Sequence, residues 1–156
     1  MSTTAQGSAE GVATVNSRIF GSVEVSADQR VTLPDGLIGF PACHDFALIP
    51  AGPRGFTWLQ SMEHETLALL LVDPFLYYPE YSIDLPAPVV NRLGALESAD
   101  VSVQTVVTLG DEKYGPTANL QGPVLLNVKK RRGYQFVLQN APFGTREPLV
   151  TDGISG

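Results

Sequence analysis

The sequence predicts an all-β, mainly antiparallel domain: a compact β-barrel-like body with one short helix. Three observations carry that reading. Apolar residues recur with period two along most of the chain. Gly or Pro interrupts the pattern roughly every eight to twelve residues. One segment alone switches to helical spacing. Hydrophobic residues make up 44% of the 156 and charged residues 17%, a balance that suits one folded domain with its own core.

Residues 1–16, MSTTAQGSAEGVATVN, are small and polar without an aromatic, and read as a disordered leader. The domain is expected over 17–150, with a flexible tail at 151–156. Strands are expected at 18–25, 30–33, 46–49, 56–62 and 81–85. Residues 67–72 are apolar at every position, which suits a central strand covered on both faces. Val89, Val90, Leu93 and Leu96 follow Pro88 at helical spacing, so a helix is expected near 88–96, weakened or ended by Gly94. Val101, Val103, Thr105, Val107 and Leu109 share one face of a strand, opposite Ser102, Gln104 and Thr108. Residues 124–129 and 134–139 alternate likewise. The turn between them ends in Gly133, read as the supplier of a left-handed conformation.

Charge is unevenly distributed. From 55 to 112, nine acids (Glu63, Glu65, Asp73, Glu80, Asp84, Glu97, Asp100, Asp111 and Glu112) face one base, Arg92, a net of −8. The other seven acids and nine bases sum to +2. Such a segment repels nucleic-acid phosphates and speeds encounter with a basic partner. The run Lys129, Lys130, Arg131 and Arg132 sits at a hairpin turn without interleaved aromatics, so direct nucleic-acid binding is not expected. Bases at strand ends commonly block edge-to-edge pairing.

Catalytic signatures are sparse. Cys43 is the single cysteine, which excludes an internal disulfide or a thiolate cluster and suits a reducing cytoplasm. In an extended segment Cys43 and His44 point to opposite faces, so the imidazole is badly placed to take the thiol proton. His44 and His64 stand in no metal-ligand spacing, and no Walker loop, GxSxG or GxGxxG occurs. Glu63 and Glu65 fall in a polar connection, SMEHET, where solvated carboxylates are expected. No enzyme, cofactor or metal is therefore expected. No secretory signal is visible in 1–16, and the longest apolar run, 67–72, is too short to span a bilayer, so the expectation is a soluble cytoplasmic protein.

The segment from Asp73 to Tyr81, DPFLYYPEY, is more informative. Pro74 ends the preceding strand, and four aromatics then fall beside carboxylates, a composition suited to recognition. Phe75 is expected to point inward and at least one tyrosine outward. The same cluster motivates the alternative of a β-barrel module for a small molecule or glycan.

The stretch from Thr117 to Asn127, TANLQGPVLLN, closely resembles the TANLxAP-xxxN signature of the FliW family of bacterial flagellar assembly factors. The resemblance continues at 36–41 (GLIGFP), 58–61 (WLQS), 72–75 (VDPF), and from Pro142-Phe143 to Pro148-Leu149, in the family's order, over about residues 18–150. Gly122 replaces the family's usual alanine, and Asp73 a frequent asparagine. The resemblance implies a non-enzymatic regulator, a monomer when free. FliW-like proteins bind CsrA, a small basic dimeric RNA-binding repressor of translation, away from its RNA face. They also bind flagellin, so that unexported flagellin releases CsrA and shuts off its own synthesis. The acidic segment is the kind of surface such a partner meets. Contacts are expected at Asp73, Tyr77, Tyr78, Glu80, Tyr81 and Asp84, with Glu97 and Asp100 as a second group. Gly36, Gly39 and Pro41 read as turn geometry, and Asn119 and Asn127 as residues that bond backbone where strands bend.

Overall fold

The computed structural model describes residues 12–52, 55–110, 113, 115–139 and 142–149, and there the period-two pattern resolves into eleven strands and one α-helix. Strands β1 (Val12–Ser17) and β2 (Gly21–Ser26) form a hairpin of their own. β3 (Arg30–Thr32), β4 (Asp45–Ala51), β5 (Phe56–Ser61), β6 (Ala68–Val72) and β7 (Ser102–Thr108) pair antiparallel in succession. β8 (Thr117–Ala118) pairs antiparallel with the end of β7 and carries β11 (Glu147–Pro148) at its far edge. β9 (Val124–Asn127) returns to β7 and forms a hairpin with β10 (Arg132–Gln135), which lies parallel to β3. The ring β7-β6-β5-β4-β3-β10-β9 thus closes into a seven-stranded barrel. Its parallel seam has a single register pair, Arg132 with Thr32, where Thr32 N–H donates to the Arg131 carbonyl at 3.0 Å.

Phe46, Leu59, Leu71, Val124 and Leu126 form the core cluster inside the barrel, with Val31, Leu33 and Cys43. The alternate residues point outward and are also apolar, so the barrel needs cover. The β1–β2 hairpin packs Val15 and Val25 on Ala47 and Ile49, with Phe20 edge-on to Trp58 at 5.9 Å. Helix α1 (Ala87–Arg92) and its cap Leu93 lay Val89 and Leu93 on Leu125. The segments after β6 and after β10 cover Val72, Val107 and Leu120. The doubly apolar run 67–72 is explained: Leu69 and Leu71 pack into the barrel cluster, Leu70 and Val72 into the outer one.

Several expectations are corrected. Val12–Asn16, assigned to the leader, belong to β1, because Ala13 and Val15 alternate toward the β4–β5 face; residues 1–11 and 150–156 lie outside the described residues. Residues 18–20 form the turn between β1 and β2 rather than strand. Residues 81–85 form no strand; they cross the outer face as irregular chain, contributing Tyr81, Ile83 and Leu85 to its packing. The helix is shorter than 88–96. Gly94 (φ 72°) turns the chain out of it in a Schellman arrangement, Ala95 N–H donating to Val90 O and Gly94 N–H to Asn91 O, and Leu96 is left 95% exposed. Leu109 also faces solvent, past the end of β7. Glu63 is exposed but engaged: its carboxylate accepts from His44 N–H (2.9 Å) and Asp45 N–H (3.2 Å), which holds its pKa below the ordinary value.

The β9–β10 turn is corrected as well. The left-handed residue is Arg131 (φ 55°), a conformation that costs a non-glycine residue about 1–2 kcal/mol. Gly133 is needed for space instead: a Cβ there would meet Leu126 Cδ2 at 2.9 Å and Leu33 Cδ1 at 3.2 Å, both in the packed barrel interior. Gly133→Ala is expected to destabilise the fold by about 1–3 kcal/mol in urea denaturation. Arg131→Gly should stay within about 1 kcal/mol, since relief of the backbone offsets the entropy glycine adds to the unfolded chain. The reverse ranking would show that backbone conformation, not volume, sets the glycine position.

Candidate partner-binding site

The Asp-Pro pair that ends β6 sets the geometry of the acidic face. Asp73 Oδ1 accepts the Phe75 N–H at 2.9 Å and caps the 3-10 turn Pro74–Leu76. The chain then coils back on the outer face of β6 and β7, Tyr78 N–H donating to Pro74 O at 2.8 Å and Tyr81 N–H to Tyr78 O at 2.9 Å. This coil reverses the expected orientations. Tyr81, expected among the contacts, is 2% exposed and packs with Val72, Val107 and Leu120; its hydroxyl donates to Leu120 O at 2.7 Å. Phe75, expected inward, is 41% exposed and only tilts against the Tyr81 ring at 5.7 Å.

Tyr77 and Tyr78 are half-buried. Tyr77 packs edge-on to Phe56 at 6.2 Å, while Tyr78 packs edge-on to Phe143 and donates its hydroxyl to Pro148 O. Desolvation raises both phenols, helped at Tyr78 by the charges of Glu147 and Glu80. Tyr77 and Tyr78 thus meet other aromatic rings, whereas Phe75 and Tyr81 also line the groove described next.

The carboxylates fare differently. Asp73 and Asp84 line a groove of about 670 Å³, whose opposite wall is formed by Ser98, Val101, Ser102 and Val103. Glu97 precedes that wall in sequence and Asp100 falls within its span. Glu80, Asp84 and Glu97 are exposed. Asp100 is less free, since its Oδ2 accepts Leu96 N–H at 3.1 Å and Glu97 N–H at 3.3 Å. Asp111 and Glu112 lie outside the described residues. Arg92, the base of the segment, is paired with Asp35 and lies 4.6 Å from the centroid of the Tyr134 ring, so its charge is taken up away from the groove. The groove thus brings Asp73 and Asp84 together with Phe75 and Tyr81, while Glu97 and Asp100 adjoin its far wall only in sequence. Phe75, in the groove lining, and its neighbour Leu76 are the apolar groups that the sequence reading missed as exposed; a 3-10 turn opening on Pro74 was the available signal.

Cys43 belongs to the barrel core, whereas the His44 ring lies 3.2 Å from the Pro41 carbonyl. They form no catalytic pair. Among the described residues no group of three or more His, Cys, Asp or Glu could hold a metal, and no helix is long and apolar enough to cross a membrane.

The family profile described as FliW protein matches residues 14–149. The chain belongs to the FliW family. It is 32% identical over 138 residues to the flagellar assembly factor FliW of Treponema denticola, covering 88% of this chain and 94% of that one. To the protein of the same name from Moorella thermoacetica it is 37% identical over 139 residues, 87% of each. A crystal structure of the flagellar assembly factor FliW superposes with a TM-score of 0.81 at 31% identity, over 88% of this chain and 96% of that chain. The match begins inside β1, in agreement with the correction to the leader. The FliW signature asparagines act as backbone ties: Asn119 Oδ1 accepts Gln121 N–H (3.1 Å) and Gly122 N–H (2.9 Å), and Asn127 links Leu93 O (3.1 Å) to Lys130 N–H (3.3 Å).

Tyr81 is the anchor of the groove wall, and its removal is measurable. Tyr81→Phe leaves the Leu120 carbonyl buried without its donor, an expected loss of about 1–3 kcal/mol. Burial pushes the Tyr81 phenol from 10.0 up to about 12, so the folded state keeps a proton that the unfolded chain releases earlier. The stability this supplies is whole below pH 10 and is lost as pH rises toward 12. Urea midpoints from pH 8 to 12 should therefore fall less steeply for Tyr81→Phe than for the parent; parallel curves would show that the phenol is hydrated in the fold.

Proposed function

We propose that this chain is a non-enzymatic, cytoplasmic regulator of flagellar assembly that binds and antagonises the translational repressor CsrA. We further infer that it binds flagellin, so that flagellin synthesis follows export, and that it is monomeric when free. The observation that carries the reading is the groove that Asp73 and Asp84 line opposite Ser98–Val103, with exposed Glu80 and Glu97 close to its lining residues in sequence. With Arg92 already paired, this face meets a basic protein with little internal compensation. Family membership supports a role in flagellar assembly. Phe75 and Leu76 supply exposed apolar surface, so the interface combines charge at its rim with a hydrophobic centre.

The test uses carboxylates that the fold can spare. Asp73 and Asp100 cap backbone turns and would mix binding with stability, whereas Glu80 and Asp84 are exposed and their charges contribute little to folding. In calorimetry and stopped-flow with purified CsrA, Glu80→Lys with Asp84→Lys should weaken binding by about tenfold or more, chiefly through slower association. Raising ionic strength from about 0.05 to 0.5 M should slow association more than it speeds dissociation. Lys129→Glu with Lys130→Glu is expected to do less, and added flagellin to release CsrA. Salt-insensitive association together with parental affinity for the Glu80/Asp84 reversal would place the interface elsewhere, and no complex at low salt would end the reading.

A further inference from the structure

The bases missing from the acidic face converge at the parallel seam of the barrel. Arg30 of β3, Lys130 and Arg131 of the β9–β10 turn and Arg132 of β10 line one recess of about 440 Å³, with Thr32 and Asp45. Asp45 is the acid of that lining, and its Oδ1 accepts the Thr32 hydroxyl at 3.3 Å. Four cations against one carboxylate leave three positive charges in surplus, in a protein of net charge −6. Among the described residues none of the four forms an ion pair. Edge protection does not explain them, and that expectation is corrected: β9 lies between β7 and β10, and β10 between β9 and β3.

Two of the guanidinium groups are held in place. Arg131 Nη1 donates to Ala27 O at 3.2 Å, and Arg132 Nη1 donates to Arg92 O at 3.4 Å. Each bond uses one of five N–H donors, leaving the rest of a planar fork whose freedom is already restricted. Arg131 is also the one non-glycine residue with positive φ among the described residues, a conformation kept at a turn where glycine would sit without strain. Like charges lining one recess repel one another, and a polyanion bound there offsets the repulsion.

We propose that this recess binds a compact multivalent anion of the phosphate class, carrying two or three linked phosphoryl groups. Guanidinium forks match paired phosphoryl oxygens. The lining has no aromatic side chain, so a nucleobase finds no stacking platform, and recognition stops at the phosphates. The recess lies apart from the acidic groove, with no residue in common.

Calorimetric titration of the full chain with tripolyphosphate, ATP and orthophosphate in 0.15 M salt tests this. Tripolyphosphate should bind at least about tenfold tighter than orthophosphate, because it carries more charge into the same recess. ATP within about threefold of tripolyphosphate identifies phosphate esters as ligands too, while binding of tripolyphosphate alone restricts the site to free polyphosphate; either supports the proposal. Arg131→Gly suits the left-handed position, so Arg131→Gly with Lys130→Ser should keep its circular dichroism and melting temperature while losing at least about tenfold in affinity. Arg30→Ser with Lys130→Ser, which leaves both arginine–carbonyl bonds in place, should show the same loss. No heat with tripolyphosphate, or parental affinity in both double variants, would overturn the proposal. So would single-stranded RNA that binds about a hundredfold tighter than tripolyphosphate and is lost with the same substitutions, since the ligand would then be a nucleic-acid backbone.

Discussion

The return of β9 to pair with β7 is the constraint on which the rest of the structure depends. That pairing turns a sheet into a closed ring and seals Phe46, Leu59, Leu71 and Leu126 from water. Closure also fixes which residues must point outward, and Ala47, Ile49, Val72, Val107 and Leu125 are too apolar to be left there. The hairpin, the helix and the aromatic coil after β6 exist as covers for those faces. Burial at about 25 cal/mol per Å² of apolar surface makes each cover a sizeable part of the stability. The groove is therefore a gap between covers, and not an opening into the barrel.

This origin explains why several carboxylates beside the groove have two relations to the fold. Asp73 and Asp100 satisfy backbone N–H groups at the turns that bring the covers into place, so negative charge and chain geometry are set together. Arg92 lies at the end of the covering helix, where Asp35 and the Tyr134 ring hold it. Charge segregation on the surface follows from these local bonds as much as from composition. The basic recess is the complement of that segregation, assembled where β3 and β10 meet.

Much of the barrel was legible because its signals are local. The two-faced apolar run of β6, the alternation in β7 and β9, and the switch to helical spacing at Val89 and Leu93 each survive in the structure. Legibility failed where period two stops applying. Within the coil after Pro74 the turn geometry sends Tyr81 inward and Phe75 outward, and no alternation rule could order them. At β1 the polar composition of residues 1–16 masked Ala13 and Val15, whose partner surface on β4 lies more than thirty residues away. At the β9–β10 turn, glycine signalled either conformation or volume, and only its neighbours Leu33 and Leu126 decide for volume. The acids could be counted along the chain, but the meeting of Asp84 with the wall beside Glu97 required the tertiary fold.

The seam between β3 and β10 joins Thr32 to Arg132, with most of the chain between them. During synthesis, then, the first five strands of the ring emerge as an open sheet, and the ring cannot close until the β9–β10 hairpin has left the ribosome. Contacts this distant in sequence form slowly, and a waiting sheet exposes unpaired edges. For most of its time as a nascent chain, the protein is an unfinished cylinder whose last two staves arrive near the end of translation.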